Sequence, residues 1–142
     1  MKTTPVSDTM PVQSTENKSR DLKKSIKLFD NKQPFEITSF TSTLNNYTTD
    51  TDTAKCGRWI LNKQDFEKII KNAEPIDGTT WDLSFSVLTC TKTVNVVQGG
   101  QQFTVEINAA SFLSINNGDT TVLLGDYNKS DRKRFIEQPG DK

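Results

Sequence analysis

The sequence predicts an α+β domain, mainly β: an antiparallel strand meander with one amphipathic helix packed on a sheet face. Three observations carry that expectation. Apolar and polar residues alternate over 81–87 and again over 103–109, the period of a strand buried on one side. Gly99-Gly100 and Asn117-Gly118 each separate two such runs, as hairpin turns do. One stretch, residues 61–73, has helical periodicity instead. Several strands with a single helix place that helix on one face of the sheet.

The chain has 142 residues, enough for one domain. Residues 1–29 are rich in Thr, Ser, Pro, Asn and Lys with scattered apolar positions, and are expected to be a disordered N-terminal stem or linker. A single globular domain is expected over 30–137, with 138–142 as a tail. Residues 33–44 (QPFEITSFTSTL) read as the first strand, with Phe35 and Ile37 on one face and Phe40 on the other. The polar stretch 45–54 (NNYTTDTDTA) is expected to be a long exposed loop. Residues 56–61 (CGRWIL) read as a short apolar strand or extended approach.

The helix has the clearest local signals. Asn62 suits the N-cap, and Asp65 stands where a capping box needs its acid. Leu61 and Phe66 are spaced as a hydrophobic staple, and Phe66, Ile69, Ile70 and Ala73 line one face. Pro75 ends the helix and Asp77-Gly78 turns the chain. In 80–97, Trp81, Leu83, Phe85 and Val87 alternate with polar neighbours and predict a strand. Leu88 and Cys90 then switch face, so that a bulge or a second buried side begins there. A hairpin at 98–101 leads into 102–109, where Phe103, Val105, Ile107 and Ala109 point inward. Residues 111–115 continue to a second hairpin at 116–119, and 120–126 form the last well-patterned strand. Residues 127–137 read as a short helix or a final strand.

Charge excludes some partners. Eighteen Lys and Arg balance eighteen Asp and Glu, so no whole-molecule field draws nucleic acid. The clusters Lys23, Lys24, Lys27 and Arg132, Lys133, Arg134 lack interleaved aromatics and read as solvated faces. No apolar run is long enough for a membrane span. Residues 1–20 lack the apolar centre of a signal peptide, which fits either a cytoplasmic protein or an exported chain whose targeting segment has been removed. The loose stem favours a periplasmic or exported protein, with a lipid anchor upstream as one form of it.

Cys56 and Cys90 are the only cysteines, and histidine is absent. Without His, two thiolates make half a zinc site, and a Cys nucleophile lacks its usual base. A disulfide is the simplest use of the pair, with two reduced thiols as the other reading. Carboxylate pairs remain as candidate acid–base groups. Asp65 with Glu67 is better explained by helix-start electrostatics, and Asp119 with Asp126 by turns and strand ends. Asp50-Thr51-Asp52 begins like a calcium loop, but its glycine is displaced and no glutamate closes it. The expectation is therefore a chain that is not an enzyme, with no catalytic residues, no cofactor and no metal.

The segment from Cys56-Gly-Arg-Trp to Ile107-Asn-Ala-Ala-Ser-Phe112 resembles small exported bacterial proteins of the periplasmic immunity type. That resemblance implies a protein-binding module, an immunity or inhibitor protein that neutralises a secreted toxin or enzyme by occluding its active site. The alternative is a structural or small-ligand-binding domain of an envelope lipoprotein. Polarity and expected exposure single out Tyr47, Asp50 and Asp52 in the long loop, then Arg58 and Trp59, as partner-binding residues. Trp59 stands either in the core beside a disulfide or on the surface as an anchor.

Overall fold

A computed structural model describes residues 28–44 and 50–141. Most of the expected stem, residues 1–27, lies outside them. The fold is α+β and mainly β: a six-stranded antiparallel sheet with few helices. In chain order the elements are β1 (Glu36–Leu44), α1 (Asp50–Gly57), α2 (Lys63–Asn72), β2 (Glu74–Pro75), α3 (Gly78–Ser84), β3 (Cys90–Gln98), β4 (Gln101–Asn108), β5 (Phe112–Asn117) and β6 (Thr120–Gly125), followed by a 3₁₀ helix, Lys129–Arg134. The strands lie in the order β1-β3-β4-β5-β6-β2. Strands β3 to β6 form the expected meander. The chain between β1 and β3 supplies the helices and the short edge strand β2.

Helix α2 forms as its sequence predicts. The Asn62 side chain accepts from the Asp65 backbone N–H at 2.8 Å, and the Asp65 carboxylate accepts from the Asn62 N–H at 2.9 Å. Phe66, Ile69 and Ile70 are buried and join Val94, Val96, Val105, Ile107 and Leu113 in the core on the inner face of the sheet. Each such side chain contributes about 1.5–3 kcal/mol by leaving water. The far end of the helix is tied by Asn31, whose amide donates to the carbonyls of Ile70 and Ala73, both at 2.8 Å. Phe29 is buried as well, and its N–H donates to Asn117 Oδ1 at 2.9 Å. Packed structure thus begins at residues that composition assigned to the stem. It also reaches into the expected tail, where the Gly140 N–H donates to the Ser84 carbonyl at 2.7 Å.

The first strand corrects its own sequence pattern. The β1–β3 register slips between Ile37 and Ser39, so Ile37 pairs with Val96 and Phe40 with Val94. One extra residue in β1 restores the phase, and Phe40 comes to the inner face with Ile37 rather than opposite it. The Phe40 ring lies 4.8 Å from that of Phe66.

Further sequence expectations are overturned in whole or in part. Residues 81–87 do not form a strand. Asp77 caps α3 by accepting from the Thr80 N–H at 2.7 Å, and Trp81 and Phe85 then fall one helical turn apart. Both rings meet Phe112, at 5.8 and 5.9 Å, forming a small aromatic cluster on the outer face at one end of the sheet. The cluster presses so closely on β6 that a Cβ at Gly125 would stand 2.7 Å from Phe85. The stretch 45–54 is not a loop throughout, because α1 begins at Asp50. Residues 56–57 end that helix, and of the two readings for 56–61 the extended approach holds beyond the turn at Arg58 while the strand does not. The bulge expected near Leu88 is replaced by the irregular approach from α3 into β3, which starts at Cys90.

The hairpins stand where their residues placed them. Gly99 and Gly100 both have positive φ, 59° and 80°, as a two-residue turn matched to strand twist requires. Of the two readings for 127–137, the short helix is the observed one, with Asn128 as its cap.

Candidate functional site

Cys56 and Cys90 form a disulfide, with their Cα atoms 5.4 Å apart. It ties the C-terminal end of α1 to the start of β3 and so fixes where the chain turns next. The Arg58 and Trp59 N–H groups close that turn on the carbonyls of Lys55 and Cys56. Trp59 goes inward, 6% exposed, while Ile60 is left 81% exposed and Leu61 is buried. The Trp59 indole N–H donates to the Arg134 carbonyl at 2.7 Å, which draws the 3₁₀ helix alongside α1. Lys92 covers the other side of the ring, with Nζ 4.8 Å from its centroid and donating to Ser42 Oγ at 2.6 Å. Burial holds the Lys92 ammonium below its usual pKa.

Between these elements lies an open recess of about 340 Å³. Trp59, Leu61, Phe135 and Ile136 give it apolar walls, and Lys55, Arg58, Lys133 and Arg134 rim it with positive charge. No acidic residue lines it. Arg134 is already engaged: its Nε donates to Asp65 Oδ1 and its Nη1 to Asp131 Oδ1, both at 2.8 Å. The Asp65 hydrogen bond, with both acids behind it, raises the Arg134 pKa. Burial opposes the Asp65 charge, yet the Asn62 N–H and Arg134 hold its carboxyl below the usual range. Among the described residues, no ion pair engages Lys55, Arg58 or Lys133. These cations and the exposed Ile60 are what the recess offers to another molecule.

Behind the recess wall sits a second group of charges. Asp126, at the end of β6, is 3% exposed, and Asp131 in the 3₁₀ helix is 1% exposed. Asp131 accepts from Arg134 and from Asn72 Nδ2, the latter at 2.9 Å. Asp126 Oδ1 accepts from the Asn128 N–H at 3.0 Å, while its Oδ2 is buried without a donor. Desolvation, then contact with the Asp131 carboxyl, pushes the Asp126 pKa up to about 8. Asp126 therefore pairs with Asp131 and not with Asp119, which is exposed.

A third surface is the outer face of the sheet, where Thr104, Glu106, Ser114, Asn116 and Thr121 line a shallow polar concavity of about 360 Å³. It carries one carboxylate, Glu106, whose partner across the strands is Ser114. Among the described residues no cluster of three His, Cys, Asp or Glu is placed to hold a metal ion, and no helix is long and apolar enough to cross a membrane.

Of the residues singled out from sequence, the structure brings Arg58 and Trp59 together in the recess. Trp59 takes the core position beside the disulfide and presents only its edge. Asp50 and Asp52 lie in the first turn of α1, the helix whose last turn supplies Lys55. Tyr47 lies outside the described residues. Sequence reasoning missed Ile60, Lys55 and Lys133. Lys133 was visible within a basic cluster, but nothing local shows that this cluster faces a second set of cations.

Fold and recess together define a class: a disulfide-tied α+β domain, mainly β, with an open, basic, partly apolar recess. The chain matches no protein-family model, no curated protein and no solved structure.

Proposed function

We propose that this domain is a protein-binding module that neutralises a secreted toxin or enzyme by occlusion, and that the recess between α1 and the 3₁₀ helix is its docking surface. The observation that carries the reading is the combination at one place of three cations with no ion pair among the described residues, Lys55, Arg58 and Lys133, and an isoleucine left 81% exposed. Ile60 adjoins the apolar walls formed by Trp59, Leu61, Phe135 and Ile136, and an apolar patch rimmed by charges of one sign fits a surface covered by a partner. Charge complementarity makes the partner acidic at the contact, with an apolar group to meet Ile60 and Phe135. The recess is open and not enclosed, which favours a protein surface over a small apolar ligand. The disulfide beside it holds α1 in place before binding, so less ordering is lost on association. Export to an oxidising compartment belongs to the same reading, because the disulfide would persist there.

The test begins with the tagged chain, used to capture partners from the source organism's lysate and secreted fraction at moderate salt. A single stoichiometric protein whose own activity falls on binding supports the reading. Arg58→Glu and Lys133→Glu should then each weaken binding by about tenfold or more, through charge reversal at the contact. A partner that keeps its full activity when bound, or that binds both variants as tightly as the native chain, would overturn it.

A further inference from the structure

The buried carboxyl pair stands one hydrogen bond behind the recess. Asp126 and Asp131 meet with no donor available to Asp126 Oδ2. Two ionised carboxylates in that position would repel across a medium that screens poorly. The charges around them do not resolve this. Arg134 hydrogen-bonds Asp131 and acts on Asp126 only through its charge, a smaller effect than burial, and it shares that charge with Asp65 from α2. Arg132 and Tyr127 border the small hollow of about 90 Å³ beside Asp126. Among the described residues the other elements contribute neutral groups, Asn72 of α2 and the Ser111 carbonyl, which accepts from the Asp126 N–H at 2.8 Å. A proton on Asp126 supplies the missing donor and turns the repulsion into a hydrogen bond to Asp131.

We propose that this shared proton is a latch on the docking surface: its loss drives Asp131 from Asp126 and loosens the 3₁₀ helix that carries Lys133 and Arg134. The path is short. Asp131 is bonded to Arg134, and the Arg134 carbonyl receives the Trp59 indole N–H. Releasing Asp131 frees one wall of the recess from β6 while the disulfide keeps the other wall in place. The consequence for binding rests on the docking reading above, whereas the latch itself does not.

The experiment follows the Trp59 indole N–H resonance of the full chain by NMR between about pH 6 and about pH 9.5, a range spanning the titration expected for Asp126. Assignment uses Trp81→Phe, which leaves Trp59 as the remaining indole. The resonance should shift with a midpoint near the Asp126 pKa of about 8. Asp126→Asn, whose amide supplies a permanent donor to Asp131, should hold it still. A native-chain resonance that does not move, or one that moves equally in Asp126→Asn, as titration of Lys92 beneath the indole would produce, overturns the latch. Should that variant fail to fold, the Asp126 carboxyl ¹³C resonance of the native chain decides: a midpoint above about 7 supports the latch and one below about 5 overturns it. Binding is read with a synthetic peptide of alternating Glu and Leu, whose affinity should fall about tenfold across the same range. A peptide with no affinity at the acidic end overturns the docking reading alone, because the indole resonance still judges the latch.

Discussion

The indole N–H of Trp59 donates to the backbone carbonyl of Arg134 at 2.7 Å, across 75 positions of sequence. That bond joins the exit of α1 to the 3₁₀ helix and sets the width of the recess between them. Trp59→Phe keeps most of the ring and removes the donor, leaving a partly buried carbonyl without its partner. Denaturant unfolding should show a loss of about 1–2 kcal/mol. An unchanged midpoint would mean that water replaces the indole at no cost.

The disulfide closes a loop of 34 residues. In the chain-entropy view, its removal releases the unfolded chain and costs about 3–4 kcal/mol. The double variant Cys56→Ala with Cys90→Ala should lose stability in that range and become as stable under reducing as under oxidising conditions. The native chain should lose a similar amount on reduction.

Stability should also depend on pH through Asp126. Its folded pKa of about 8 lies above the ordinary carboxylate value, so the folded state binds the extra proton between about pH 4 and about pH 8. The stabilisation is fully present below that window and is lost as pH rises through it. Thermal unfolding of the native chain should therefore show a falling contribution from pH 4 to 8, opposed at the acid end by Asp65, whose depressed pKa acts in the other sense. Asp126→Asn should flatten the alkaline limb and stand above the native chain at about pH 9. Equal alkaline stability of the two proteins would sink the assignment of a proton to Asp126.

Arg134 is 10% exposed and holds two acids, one of which, Asp131, is 1% exposed. Arg134→Met would leave the Asp131 carboxylate buried without the cation that pairs with it among the described residues, at a cost of about 3 kcal/mol in chemical denaturation. Lys133→Met, on the same 3₁₀ helix but without an ion pair, should change stability by less than about 0.5 kcal/mol. Similar losses in both variants would contradict the division of labour between these neighbours.

Which features were legible in the sequence follows from how local their causes are. Helix α2 was readable because its cap, its staple and its apolar stripe all lie within 61–73. The meander was readable because its turns are written in Gly99-Gly100 and Asn117-Gly118. Helix α3 was not. Trp81, Leu83, Phe85 and Val87 satisfy a strand's alternation, but Trp81 and Phe85 also stand one helical turn apart. Packing on Phe112 decides for the helix and leaves Leu83 72% and Val87 61% exposed. Phe40 was misplaced for a different reason: a single-residue bulge reverses the phase of everything after it, and no residue at 37–39 announces one. The recess was half legible. Arg58 and Trp59 could be chosen from composition, but their meeting with Lys133 and Arg134 depends on the disulfide and on a hydrogen bond between distant segments. Asp126 was flagged with the wrong partner because burial, not proximity to a turn, gives it its chemistry.

The long span of the Trp59–Arg134 bond makes the recess a property of the finished fold. Its walls come from segments that meet only once the sheet between them has formed, so neither a peptide around Arg58 nor one around Lys133 carries the surface by itself. A partner docking as proposed would select native molecules and leave unfolded ones untouched, and mass action would then return part of the binding free energy as resistance to unfolding. With partner at about a hundred times its dissociation constant, that return is about 2.7 kcal/mol, comparable to the disulfide itself. The complexed protein should outlast the free one under heat or proteolysis for this reason alone.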